Sequence, residues 1–133
     1  MNFKEVIKNN PIGGLQWVNW APYLARNYVM AKDKPLLASF KVSYRCNLRC
    51  QQCPFYSMQV PELSYDQACQ VIDQLYARGN RLLMFEGGEP MLWRDGNKQV
   101  HDLVIYARRR FFSVGMTTNG TFSLDVPTNV LWV

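Results

Sequence analysis

The chain lacks any run of about 18 apolar residues that could cross a bilayer, and no basic segment leads into a long apolar stretch of the secretory kind. A cytoplasmic location is therefore expected. Histidine is nearly absent, with His101 alone, so a metal site or acid–base pair built from several imidazoles is excluded. His101 falls in the first turn of a predicted helix, where an exposed position is expected. The four cysteines are not spread out as a disulfide framework would have them, since three fall within eight residues. In a reducing compartment such a cluster more often holds metal. No internal repeat or low-complexity tract interrupts the order.

Acidic residues are in deficit, with 10 Asp plus Glu against 15 Lys plus Arg and a net charge of +5. That balance favours an anionic partner in principle, but the basic residues are scattered rather than clustered, so nucleic acid is not the expected one. Arg108, Arg109 and Arg110 close a predicted helix, where positive charge complements the carboxyl-end dipole. At 133 residues and 48% hydrophobic, the chain suits one core, as a single domain or part of one.

Residues 1–34 read as a lead-in. Pro11, Gly13 and Gly14 break any early helix, and Trp17, Ala21, Leu24 and Tyr28 recur at helical spacing, which predicts a short amphipathic helix from about Pro22 to Ala31. Its plain role is to cover a sheet edge or the bottom of a barrel. The cluster of Trp17, Trp20 and Tyr23 near Arg26 and Lys32 also permits peripheral contact with a membrane surface.

From residue 35 onward, strand-like and helix-like segments alternate. Leu36–Tyr44 reads as a strand in which Phe40, Val42 and Tyr44 alternate with Ser39, Lys41 and Ser43, so the polar set is expected to face a working cavity. Ser64 and Gln67 have capping-box spacing, Ala68, Val71, Ile72 and Leu75 form one stripe, and Gly79 supplies a stop. Cys69 lies beside that stripe and reads as an ordinary partly buried thiol. Arg81–Glu86 predicts a second strand, Asn97–Arg109 a second helix, Phe111–Thr118 a third strand and Val130–Val133 the start of a fourth. This alternation predicts an α/β fold of parallel βα units, with Cys46–Cys53, Gly87–Pro90 and Thr117–Gly120 gathered at the carboxyl ends of the strands.

The segment Cys46-Asn47-Leu48-Arg49-Cys50-Gln51-Gln52-Cys53 has C-x3-C-x2-C spacing. Clustered thiolates suit zinc, copper(I) or iron–sulfur clusters. Structural zinc wants four ligands, and this segment offers three with no histidine close by. The count fits a [4Fe-4S] cluster with one iron open to a small ligand. A structural module holding zinc or an inert cluster is the alternative.

Taken with Gly87-Gly88-Glu89-Pro90 after the second strand and Thr117-Thr118-Asn119-Gly120 after the third, the cysteine segment resembles the radical S-adenosylmethionine (radical SAM) enzymes from roughly Pro35 to Val133. The resemblance implies that Cys46, Cys50 and Cys53 each bind one iron of a [4Fe-4S] cluster. It implies that S-adenosylmethionine (SAM) chelates the fourth iron, that Gly87, Gly88, Glu89 and Pro90 belong to the string that meets its amino group, and that Asn119 lies near the cofactor. Glycine suits close backbone approach to a ligand. An electron from a donor such as flavodoxin or ferredoxin would cleave SAM, and the 5′-deoxyadenosyl radical would take hydrogen from a small-molecule or peptide substrate. Ser39, Lys41, Ser43 and Glu86 are the candidate lumen residues. The implied fold is the first half of a partial (β/α)6 TIM-like barrel, truncated near the fourth strand. An amino-terminal piece of a longer enzyme, or a non-catalytic remnant, is therefore expected. The sequence departs from the family at Gln52, where an aromatic residue often precedes the third cysteine. Phe55 or Tyr56 could substitute in packing the adenine.

Overall fold

The computed structural model describes residues 21–23, 25–27, 34–123 and 130–132. The chain divides into two compact units, Met1–Pro35 and Leu36–Val133. In the first, residues 21–23 and 25–27 are helical, overlapping the start of the expected helix. Trp17, Trp20 and residues 28–33 lie outside the described residues. Among the described residues no helix is long and apolar enough to cross a membrane.

The second unit is built on a four-stranded parallel sheet. Its strands are β1 (Leu37–Ser43), β2 (Leu82–Gly87), β5 (Ser113–Thr117) and β6 (Val130–Trp132), and they lie side by side in chain order. A two-stranded hairpin of β3 (Arg94–Asp95) and β4 (Lys98–Gln99) stands apart from it. Helix α1 (Tyr65–Ala77) connects β1 to β2, and α2 (Val100–Arg108) connects β2 to β5. Parallel neighbours need such crossovers, because a tight turn cannot return the chain to the same edge in the same direction.

Apolar periodicity makes the core. Ala38, Phe40 and Val42 of β1, Leu83 and Phe85 of β2, and Val114 and Met116 of β5 are buried together with Ala68 and Ile72 of α1 and Leu103, Val104 and Ala107 of α2. Trp93 is fully buried, and its indole N–H donates to the Leu63 carbonyl at 3.1 Å, so the largest core side chain leaves no polar atom unpaired.

Helix α1 starts as its capping box requires. Ser64 Oγ accepts from Gln67 N–H and Gln67 Oε1 accepts from Ser64 N–H at 2.9 Å. It stops at Gly79, whose φ of 108° only glycine adopts freely. Helix α2 begins at Val100 rather than at the expected Asn97, because residues 94–99 form the β3–β4 hairpin. The loop between the paired Asp95 and Lys98 has Gly96 first, at φ 54°, which suits a two-residue hairpin turn. Helical periodicity extended backward concealed this short turn signal.

Strand β1 departs from simple alternation. Its register against β2 shifts between Lys41 and Ser43. An extra residue there breaks the period of two. Ser39 and Lys41 stay exposed as the alternation predicts, but Ser43 is buried rather than open to a cavity. Tyr44 falls just beyond the strand, and its ring meets Phe55 edge-on at 5.6 Å between centroids.

Candidate functional site

The carboxyl ends of β1, β2 and β5 carry the three segments singled out in the sequence. The first is the cysteine segment. Cys46 and Cys53 are half-buried, Cys50 is exposed, and all three are free thiols. A turn closes the segment through Cys53 N–H to the Cys50 carbonyl at 3.0 Å. Two N–H groups point at Cys46 Sγ, from Leu48 backbone at 3.4 Å and from Asn119 Nδ2 at 3.8 Å.

A network holds the base of this segment. Arg45 forks onto Glu62, with Nε to Oε1 at 2.9 Å and Nη2 to Oε2 at 2.7 Å, while Nη2 also reaches the Leu92 carbonyl at 2.7 Å. Ser43 Oγ donates to Glu62 Oε1 and accepts from Arg45 N–H. Glu62 thus secures the exit of β1 from outside the motif. Nothing in the spacing of Glu62 marked it, since its role depends on where the chain ahead of α1 returns.

The glycines of the second segment have a demanding geometry. A Cβ on Gly87 would stand 2.0 Å from the Ser43 carbonyl oxygen, and one on Gly88 would stand 2.3 Å from that of Arg45. Gly87 also sits at φ 134°. The close approach is to the protein's own backbone, where Gly88 N–H donates to Ser43 O at 2.8 Å and Glu89 N–H to Arg45 O at 2.7 Å. The absent side chains let the end of β2 bond directly to the chain entering the cysteine segment.

Glu89 is fully buried. Its oxygens accept from Met91 N–H at 3.0 Å, Asn119 N–H at 2.8 Å and the Thr118 hydroxyl at 2.8 and 2.9 Å. Burying a carboxyl group is tolerable only with such partners. Glu89 therefore ties the β2 end to the β5 end. Pro90, also buried, opens a short 3-10 turn, Pro90–Leu92.

Between the second and third segments lies a cavity of about 410 Å³, lined by Lys41, Phe55, Glu86, Gly87, Gly88 and residues 117–119. The structure brings Gly87, Gly88 and Asn119 to its wall and keeps Glu89 and Pro90 behind it. Of the two aromatic candidates Phe55 lines the cavity, whereas Tyr56 is exposed. Glu86 Oε2 accepts from Ser39 Oγ at 2.6 Å and lies 3.6 Å from Lys41 Nζ, which makes one wall polar and charged.

The remaining candidates stand away from this cavity. Cys69 is buried in α1, and burial pushes its thiol pKa up. Its neighbour Tyr65 is pushed up to about 12, first by burial and then by its hydrogen bond with Cys69. His101 is exposed in the first turn of α2. Arg110 pairs with Asp73 of α1, so it fastens the two helices besides facing a helix end.

A family model described as the radical SAM superfamily matches residues 40–126. Among curated proteins, the chain is 32% identical over 94 residues to the Fe-coproporphyrin III synthase of Methanosarcina barkeri, covering 68% of this chain and 23% of the relative. It is 34% identical over 88 residues to the AdoMet-dependent heme synthase of Nitratidesulfovibrio vulgaris, covering 64% and 23%. It is 31% identical over 101 residues to the mycofactocin maturase MftC of Mycolicibacterium smegmatis, covering 74% and 25%. The matched region spans about a quarter of the length of each of these relatives. With a cysteine segment, a glycine-rich strand end and a cavity on one rim of a parallel sheet, and with the family model matching well over half of its length, this chain belongs to the radical SAM superfamily.

Proposed function

We propose that the chain is the cofactor-binding part of a radical SAM catalytic core. In this reading Cys46, Cys50 and Cys53 hold a [4Fe-4S] cluster, the adjoining cavity receives SAM, and the sheet supplies the opening strands of a partial (β/α)6 barrel. The observation that carries it is a cavity of about 410 Å³ bounded by Gly87, Gly88 and Asn119, with Asn119 also bonded to Cys46 of the three-thiol segment.

The donor set fits the group. Tetrahedral zinc with Zn–S bonds of about 2.3 Å would draw its sulfurs to within about 4 Å of one another. The cysteine segment supplies three thiols, and His101 stands apart in α2, so the set is short of the four ligands that structural zinc wants. A multi-iron cluster gives each thiolate its own iron, so its ligands stand farther apart. The N–H groups aimed at Cys46 Sγ are also the hydrogen-bond donors that iron–sulfur sites place on their sulfurs.

When bound, the two groups supply one-electron reductive cleavage of a sulfonium bond and hydrogen abstraction from substrate. The protein's own part is positioning. Gly87 and Gly88 offer backbone to the ligand, Phe55 offers an aromatic face for the adenine, and Glu89 holds the strand ends that fix the cavity's shape. Lys41 and Glu86 present the polar wall, and the Ser39 hydroxyl holds Glu86. The names of the three relatives refer to different compounds, which supports reading the shared region as the cofactor part. A flavodoxin- or ferredoxin-like protein is the proposed electron donor.

Anaerobic reconstitution tests this reading. The expected result is about four iron and four sulfide per chain and an electron paramagnetic resonance signal that changes on adding SAM. Alanine at Cys46, Cys50 or Cys53 is expected to abolish iron uptake, and Cys69→Ala to leave it unchanged. Stoichiometric zinc with no response to SAM would overturn the proposal.

A further inference from the structure

Asn119 is held by partners on every side. Its Nδ2 carries two N–H bonds, of which one goes to Asn47 Oδ1 at 2.8 Å and the other to Cys46 Sγ at 3.8 Å. Its Oδ1 accepts from Thr121 N–H at 3.1 Å and from the Thr121 hydroxyl at 2.7 Å. Its backbone N–H is anchored on Glu89 Oε2 at 2.8 Å. These partners determine which way the amide points. A flipped carboxamide would set its oxygen against Asn47 Oδ1 and its NH2 against the Thr121 N–H.

We propose that Asn119 is a positioning residue that acts through Cys46, donating a hydrogen bond to its sulfur and thereby raising the reduction potential of a cluster bound there. This rests on the cluster-binding reading given above. Reduction adds negative charge to the cluster and its thiolates, and an N–H dipole aimed at one of those sulfurs stabilises the more negative state, which is how hydrogen bonds to sulfur tune such centres. The Leu48 N–H at 3.4 Å adds a second donor to the same sulfur. Leu48 lies within the cysteine segment, whereas Asn119 reaches Cys46 from the end of β5. Packing of the third parallel strand therefore sets a property of the ligand on the first.

The test uses the full chain reconstituted anaerobically, with the midpoint potential read by redox titration followed by electron paramagnetic resonance. Asn119→Ala removes the donor without adding charge, and Asn119→Asp removes it while keeping an acceptor for Thr121. Asn47→Ala cuts the neighbouring link but leaves Asn119 held by Thr121 and Glu89. Both Asn119 variants are expected to bind iron and sulfide as wild type does and to shift to a more negative midpoint, with Asn47→Ala unshifted. Coincident potentials in all four proteins, or a shift in Asn47→Ala as large as in the Asn119 variants, overturns the inference alone. Loss of the cluster from both Asn119 variants with retention in Asn47→Ala assigns the residue to assembly and overturns it too. A wild-type chain that takes up no cluster overturns this inference together with the reading it rests on.

Discussion

At the scale of single residues, Glu89 shows how a motif side chain can serve a site without facing it. Its carboxyl group is enclosed and accepts from two backbone N–H groups and the Thr118 hydroxyl. Glu89→Gln keeps the shape but turns one acceptor into an NH2 group that cannot accept from an N–H. Leaving a buried donor unpaired costs about 1–3 kcal/mol. The thermal midpoint of Glu89→Gln is expected to fall accordingly, by roughly 4–8 °C per kcal/mol in a domain of this size. A midpoint equal to wild type would show that the enclosed carboxyl group is not needed for stability. The sequence identified Glu89 as important. It did not reveal the enclosure, because Thr118 and Asn119 approach from a strand some thirty residues later.

Among elements, the junction of β1 and β2 leaves no room for a side chain at Gly88. A methyl group at Gly88 would meet three backbone atoms of Tyr44 and Arg45 within 2.7 Å. Gly88→Ala is therefore expected to destabilise by about 1–3 kcal/mol or more, as overpacking does, and to lower the midpoint of chemical denaturation. Gly96→Ala serves as a comparison, since nothing lies within 4 Å of its Cβ position and only its φ of 54° opposes the change. Helix α2 supplies a pH-dependent contribution. The Gln99 backbone N–H, bonded to Asp102 Oδ2 at 2.9 Å, holds that carboxyl below its ordinary value of 3.8, with Lys98 assisting. A depressed folded pKa adds stability that is present above the unfolded value and is lost as pH falls through the folded one. The wild type is expected to exceed Asp102→Asn in thermal midpoint near neutral pH, with the gap closing below 3.8. A gap independent of pH would contradict the assignment. Both helices were legible from their apolar stripes, and α1 from its caps as well, whereas the start of α2 was not. The β3–β4 hairpin was not, because two strands of two residues carry almost no periodic signal.

Across the whole molecule, β2 and β5 lie inside the sheet, between β1 and β6. Leu83, Phe85, Val114 and Met116 are buried there, so their amides are expected to be the slowest to exchange with deuterium, while residues 46–58 exchange early. Early exchange of β2 would argue against a sheet ordered in this way. The sequence by itself determined the parallel α/β class, the capped first helix, the buried apolar faces and the segments that would form a rim. Each of these rests on local periodicity or on residue types whose chemistry is independent of the rest of the fold. The tertiary structure decided what those segments touch. It turned Ser43 inward onto Glu62, set Glu89 behind the cavity rather than on its wall, made Gly87 and Gly88 the contact between two strands, and brought Asn119 to the sulfur of Cys46. Those outcomes depend on distances between atoms dozens of residues apart. A bulge in β1 and the bonding of three strand ends set them, and neither is written in the spacing of a motif.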